Sequence, residues 1–170
     1  VQAVEKSSKN IFISPLGVSL AFSMLNNGAA GETQQQIQKV LGFEDLDAEA
    51  INSFYQKMLA AAIEIDPQVT LETANSIWIQ NEFPVLQPFI DINKKYFDAE
   101  IKNVDFASSG TLKMINQWAS DKTHGKVKDF LSELNPQTVV FLMNALYFWG
   151  EWTDKFEEAD TRKDTFTNAN

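Results

Sequence analysis

An apolar run at residues 138–149, TVVFLMNALYFW, constrains the fold more than any other feature of this chain. Side chains of a β-strand alternate between its two faces, and here both alternating sets are almost entirely apolar. This pattern is typical of a central strand that is covered on both sides. The other segments with a long-strand pattern are too few to flank and cover such a strand. We therefore expect it to belong to a larger sheet that further chain completes.

Helix signals dominate the sequence before this run. Ser14 and Pro15 suit an N-cap and a first helical position, where the N–H that proline lacks would be unpaired anyway. Apolar residues surround this helix, which predicts burial on all sides. Thr33 and Gln36 form a capping-box pattern for a second helix, which Gly42 closes. Further helices are predicted over 47–63, from Pro88 to about Tyr96, and over 112–123.

Strand patterns appear at 11–13, 69–80 and 99–106, in addition to the apolar run. Helices thus come mostly first and long strands later, and no low-complexity linker or internal repeat divides the 170 residues. The hydrophobic content of 44% is enough for a sizeable core. The prediction is a mixed, α+β fold belonging to one domain.

The charge balance narrows the classes of partner. The chain has 14 Lys and Arg against 23 Asp and Glu, a formal charge of −9. Surfaces that bind nucleic acid or heparin need clustered cations, so neither partner is predicted. The 47–63 helix has only Lys57 as a cation, which gives no support to a heparin site there.

Cysteine is absent, which excludes disulfides, thiolate catalysis and cysteine-based zinc sites. No Asn-x-Ser/Thr acceptor is present, and no charged-then-apolar leader is seen at Val1. The longest apolar run is too short to cross a bilayer, so no membrane span is predicted.

The single histidine, His124, is the only residue that could serve a Ser-His-Asp triad. Its setting, Thr-His-Gly after a predicted helix, is better explained as a cation at a helix end or a solvated turn. The acidic cluster at 154–160 is interpreted as a solvated loop. No calcium-loop pattern is present. We therefore predict no catalytic residue, no metal and no cofactor.

Five segments, in order along the chain, resemble the serpin family of protease inhibitors. They are NIFISP (10–15) continuing to GAAGET (28–33) and Ile37; ANSIW (74–78) with Phe89, Tyr96 and VDF (104–106); INQW (115–118) with THGKV (123–127); MNALYF (143–148); and GEW (150–152) with Phe156, Thr161 and Phe166. Each is weak alone, but five collinear matches identify the chain as the N-terminal part, residues 1–170, of a single serpin domain.

The resemblance implies a large central sheet with surrounding helices, here incomplete. It also implies inhibition by suicide-substrate trapping: a target serine or cysteine protease cleaves a reactive loop and is held as its acyl-enzyme. The loop then inserts as a new strand into the sheet. By the same resemblance, the reactive site is absent from this chain, and the remainder of the domain is a required partner.

The resemblance also assigns roles to individual residues. Ser14 and Asn144 match the shutter, a hydrogen-bonded cluster that gates opening of the sheet. Gly17 stands where the family commonly has serine, so one shutter hydroxyl is missing. Trp152 matches the breach, where insertion begins. The strand flanking the inserted loop would carry Thr138, Phe141, Asn144 and Phe148, and the helix over 112–123 would lie across the sheet and shift during insertion.

Plainer explanations compete with these roles. An ordinary satisfied amide explains Asn144, N-capping alone explains Ser14, and a large core residue explains Trp152. Trp78, Trp118 and Trp149 are interpreted as core. A non-inhibitory serpin, acting as carrier, storage protein or chaperone, would share all five segments. A hydrolase, or a half-chain that pairs its open sheet edge with another strand, is less well supported.

Localisation follows only from the resemblance. Most members of the family are extracellular and some are intracellular. We expect an extracellular or cell-surface protein, with an intracellular one as the alternative.

Overall fold

The computed structural model describes residues 13–64 and 68–165. Of the predicted strand at 11–13, only Ile13 is described, and it is in no regular element. The described elements are α1 Pro15–Asn26, α2 Gly31–Leu41, α3 Ala48–Ile63, β1 Val69–Gln80, α4 Gln87–Phe97, β2 Glu100–Val104, α5 Ser109–Lys122, β3 Val140–Gly150 and a 3-10 turn at Glu158–Asp160. The predicted helices and long strands are thus confirmed, and the mixed fold with them.

The three strands lie in the order β2-β1-β3, with β1 parallel to β2 and antiparallel to β3. The β1–β3 register runs from Val69 opposite Gly150 to Ile79 opposite Val140. The apolar run therefore forms a strand as predicted, but β1 is the central one. Within the described part of the chain, β3 is an edge strand, because no described strand pairs with its outer edge, although α1 and α5 contact its two faces.

Helices pack on both faces of this sheet. Ile77 and Ile79 point to one face, and Trp78 between them points to the other. Helices α1, α3 and α4 cover the first face, with Leu20, Met24, Ile51, Tyr55 and Phe97 in its core. Helix α5 covers the second face through Ile115, Trp118 and Ala119, which pack with Trp78, Met143 and Ala145.

Helix α1 is not buried on all sides, contrary to the prediction. Leu20 and Met24 are fully buried, whereas Val18 is 55% exposed and Phe22 is 44% exposed. The described elements that contact α1, which are β3, α2, α3 and α4, leave the apolar face with Val18 and Phe22 open.

The helix ends follow the sequence signals except at α2. Ser14 and Asp47 cap α1 and α3 as N-caps, and Gly42 closes α2 in a left-handed conformation. The predicted capping box of α2 is wrong, because the helix begins at Gly31 and its N-cap is Ala30, without a side-chain bond. Thr33 lies inside the first turn, and Gln36 bonds Glu32 at 3.0 Å instead.

Candidate functional site: the contact between α1 and β3

The first turn of α1 is held by its own cap. The Gly17 N–H donates to Ser14 Oγ at 3.1 Å, which satisfies one of the backbone donors that a helix start leaves unpaired. Ser14 has extended backbone angles, as an N-cap requires. The capping explanation of Ser14 is therefore confirmed, and its shutter role stays a prediction.

Asn144 lies in the middle of β3, half-buried, on the face towards α1. Its Nδ2 donates to Asn75 Oδ1 at 2.9 Å and to Thr73 Oγ1 at 3.0 Å, with the Ala74 carbonyl farther off at 3.4 Å. All three acceptors belong to β1. The side-chain amide therefore ties β3 to β1 in addition to the backbone ladder.

Gly17 allows this arrangement. A Cβ atom at position 17 would lie 2.5 Å from Asn144 Oδ1, far inside van der Waals contact. Gly17 is buried, and its backbone lies directly against the amide. Gly17 was predicted only to lack a hydroxyl, but it also has a steric role: a side chain at position 17 would displace the Asn144 oxygen from its present position.

An open cleft of about 370 Å³ borders this contact. Its walls are largely apolar and come from the start of α1 and from β3. They comprise Ile13, Ser14, Gly17, Val18, Ala21, Asn144 and Leu146. The cleft thus contains all three residues that the resemblance assigns to the shutter.

The other predicted strand residues lie apart from this cluster. Thr138 precedes β3, and its N–H donates to the Asn135 carbonyl. Phe141 packs on the α5 face, opposite to Asn144. Phe148 is 64% exposed near the end of the strand.

The tryptophans divide into two groups. Trp78 and Trp118 are buried, so the core interpretation is confirmed for both. For Trp149 it is wrong, because this side chain is 48% exposed near the end of β3. Trp152 is 71% exposed and contacts Phe156 edge to face at 5.8 Å, so the core explanation fails for it too. Its breach role stays a prediction.

Thr73 and Asn75, the β1 partners of Asn144, were not predicted as site residues. Asn75 is 2% exposed, and its Nδ2 donates to the Phe97 carbonyl at 2.8 Å. It lies directly opposite Asn144 in the sheet. The signal that could have identified it is an amide on the same strand face as Ile77 and Ile79, but its partner depends on the register between β1 and β3.

His124 lies just after α5, 52% exposed, and its Nε2 is 2.8 Å from Glu72 Oε2. The solvated-turn interpretation is therefore confirmed. No three Asp, Glu or His side chains of the described residues form a group that could hold a metal ion. Nor is any helix of 13–64 or 68–165 long and apolar enough to cross a membrane.

Comparison with known proteins agrees with this arrangement. The family model for serpin, serine protease inhibitor, matches residues 1–170. Human Serpin I2 is 37% identical over 99% of the chain, which spans 43% of that protein. The native-state structure of the thermophilic serpin tengpin has a TM-score of 0.87 and 34% identity, over 96% of this chain and 42% of that one. Emu ovalbumin has a TM-score of 0.86 and 26% identity, over 96% and 46%.

A mixed sheet with helices on both faces, and a long strand open along one edge among the described residues, defines a mixed α+β protein. The five collinear motifs, the family model and the structural matches identify it further. The chain belongs to the serpin family. It spans about two fifths of the length of the curated relatives that it matches.

Proposed function

We propose that the protein containing this chain inhibits a serine-type endopeptidase by suicide-substrate trapping. A reactive loop, absent from residues 1–170, would be cleaved and would insert beside β3 while the protease stays bound as its acyl-enzyme. Residues 1–170 would then be the N-terminal part of one serpin domain. No residue of this part would be catalytic.

The observation that carries the proposal is the one-sided pairing of β3. This strand is 11 residues long and is paired along its length with β1, while its other edge has no described strand partner. Backbone N–H and C=O groups along this edge can pair with an extended segment that adds as a strand, either from the remainder of the domain or from an inserted loop. Because β1 holds β3 through both the ladder and Asn144, the open edge is where a loop would enter.

The predicted shutter residues would control the opening of the sheet beside β3. Asn144, Ser14 and Gly17 meet in one cleft beneath β3, so a movement of β3 relative to α1 would disturb all three. Trp152 would act at the breach, where its exposed ring is open to contact with the remainder of the domain.

Covalent trapping tests the proposal directly. The whole protein is mixed with a panel of serine and cysteine proteases, and the products are separated on a denaturing gel. We expect a band at the summed mass of protein and protease for at least one serine protease, because an acyl-enzyme survives denaturation. A panel that yields only cleaved protein, with no such band, would contradict trapping.

A non-inhibitory serpin, acting as carrier, storage protein or chaperone, is the second candidate. The match to emu ovalbumin supports this second candidate, because the ovalbumin structure and the tengpin structure each match 96% of this chain. The two candidates differ in the reactive-loop hinge, where insertion needs small side chains. Thermal unfolding after limited cleavage of the loop separates them: insertion raises the Tm strongly, and its absence leaves the Tm unchanged.

For the partners and compartment we propose a target serine protease outside the cell or at its surface. A cysteine protease and an intracellular site are the alternatives. The negative charge of the chain supports neither nucleic acid nor heparin as a partner.

A further inference from the structure

The C-terminal end of α5 meets the sheet through two charged contacts. Lys122, the last residue of the helix, lies 2.7 Å from Glu100, with Nζ against Oε1 at the start of β2. Two residues later, His124 Nε2 lies 2.8 Å from Glu72 Oε2 in β1. One helix end is thereby joined to two different strands.

The His124 contact has a defined direction. An ionised carboxylate only accepts hydrogen bonds, so the imidazole donates its Nε2–H to Glu72 whether the ring is neutral or protonated. The ring also lies 4.3 Å, centroid to centroid, from that of Tyr147. Tyr147 is the register partner of Glu72 across the β1–β3 pair. His124 therefore lies over β1 and β3 on the face of the sheet that α5 covers.

The backbone around His124 has an unusual conformation, which supports a specific placement of the imidazole against the sheet. His124 and the following Gly125 both have positive φ, 50° and 73°. This left-handed conformation is unfavourable for a residue with a Cβ atom. The Gly125 N–H donates to the Ser120 carbonyl at 2.8 Å, which closes the helix and turns His124 towards the sheet.

We propose that Glu72, Glu100, Lys122, His124 and Tyr147 form a latch that holds the end of α5 on the sheet. The inference rests on the proposed function, in which α5 must shift when a loop inserts beside β3. Helix α5 packs over Trp78 of β1 and Met143 of β3, so movement of the helix off this face would also break the contacts at its end. The latch thus slows both local opening of α5 and insertion.

Hydrogen–deuterium exchange of the whole protein tests the latch without any protease. The variants are Glu72→Gln, Glu100→Gln and the double variant, each of which removes a carboxylate charge and keeps the shape of the side chain. Exposed ion pairs change an equilibrium by about twofold to fivefold each. We expect amides in the last turn of α5 to exchange faster by that factor in the single variants and by about tenfold in the double variant.

Glu133→Gln is the matched control. Glu133 is exposed, follows α5 in the chain and makes no ion pair among the described residues. Its substitution changes the net charge by the same amount as each single variant, and by half as much as the double variant, and is expected to leave α5 exchange unchanged. Equal α5 exchange in the double variant and in Glu133→Gln would overturn the latch. Should the double variant not fold, the two single variants decide the question against the same control.

The rate of covalent complex formation tests the link to insertion. We expect the double variant to trap the protease faster than the Glu133→Gln protein. Faster exchange of α5 with an unchanged trapping rate would overturn the link between the latch and insertion. If neither the variants nor the control form a complex with any protease, the proposed function is contradicted. The hydrogen–deuterium exchange result still tests the latch in that case.

Discussion

At the residue scale, the contact between Gly17 and Asn144 couples α1 to the sheet. The Asn144 amide bonds to Thr73 and Asn75 with its nitrogen, which directs its oxygen at the Gly17 backbone. Any side chain at position 17 would compete for the space of that oxygen. A side chain at position 17 would therefore strain the amide that bonds to β1.

Gly17→Ala tests this coupling in the whole protein. The added Cβ would displace the Asn144 oxygen, and overpacking of this kind costs about 1–3 kcal/mol. In Asn144→Ala the clashing oxygen is gone, so we expect Gly17→Ala to cost much less there. Urea unfolding of the two single variants and the double variant yields the coupling free energy, expected at about 0.5–3 kcal/mol.

Gly110→Ala is the control, because Gly110 is also in the first turn of a helix. A Cβ at position 110 would meet only Ser108 Oγ, at 3.3 Å. We expect a change in the free energy of unfolding below about 1 kcal/mol. Additive losses in the Gly17 and Asn144 variants would contradict a direct contact between them.

Ser14 is expected to show two separable effects. Ser14→Ala removes a cap bond and should cost about 1 kcal/mol, as should Ser108→Ala, which removes the cap of α5. If Ser14 also belongs to the shutter, only Ser14→Ala should change the rate at which the whole protein traps a protease. Equal trapping rates in both variants would leave Ser14 with capping alone.

At the element scale, the ion pair between the end of α5 and β2 depends on the ionisation of Glu100. Lys122 donates a hydrogen bond to the Glu100 carboxylate and thereby lowers the pKa of Glu100 below its ordinary value of 4.5. Since protons then bind more tightly to the unfolded chain, the stabilisation is present above about pH 4.5 and is lost as the pH falls through the folded pKa. The carboxylate is 38% exposed, so solvent screening keeps the effect small.

Glu100→Gln should therefore lower the Tm near neutral pH, and the difference from the unsubstituted protein should close as the pH falls to about 3. The same difference should shrink in about 1 M salt, where exposed charges are screened. Differential scanning calorimetry across pH measures both trends, with Glu133→Gln as the control. A difference that stays constant down to pH values of about 3 would show that the Glu100 charge does not stabilise the fold.

The elements themselves were largely readable from the sequence. β1 coincides with the predicted strand at 69–80, and α3 begins one residue after the predicted start, because Asp47 is its N-cap. The capping-box pattern failed because α2 begins at Gly31, so Thr33 lies inside the first turn and cannot be its N-cap.

At the scale of the whole molecule, two apolar surfaces stay uncovered. The face of α1 with Val18 and Phe22 is exposed, as is the end of β3 with Phe148 and Trp149. The chain spans about two fifths of its relatives. No described element covers either surface, so the prediction that β3 is interior to a larger sheet stays a prediction, and α1 is not buried all round within the described residues.

By itself the sequence determined the elements, the mixed fold and, through five collinear motifs, the family. Those depend on local periodicity, on caps and on the order of the motifs along the chain. Only the tertiary structure decided that β1 is central, that the Asn144 amide bonds to Thr73 and Asn75, and that Gly17 makes room for it. The physical reason is that register and close approach join residues about 70 to 130 positions apart, and no local pattern encodes which of them meet.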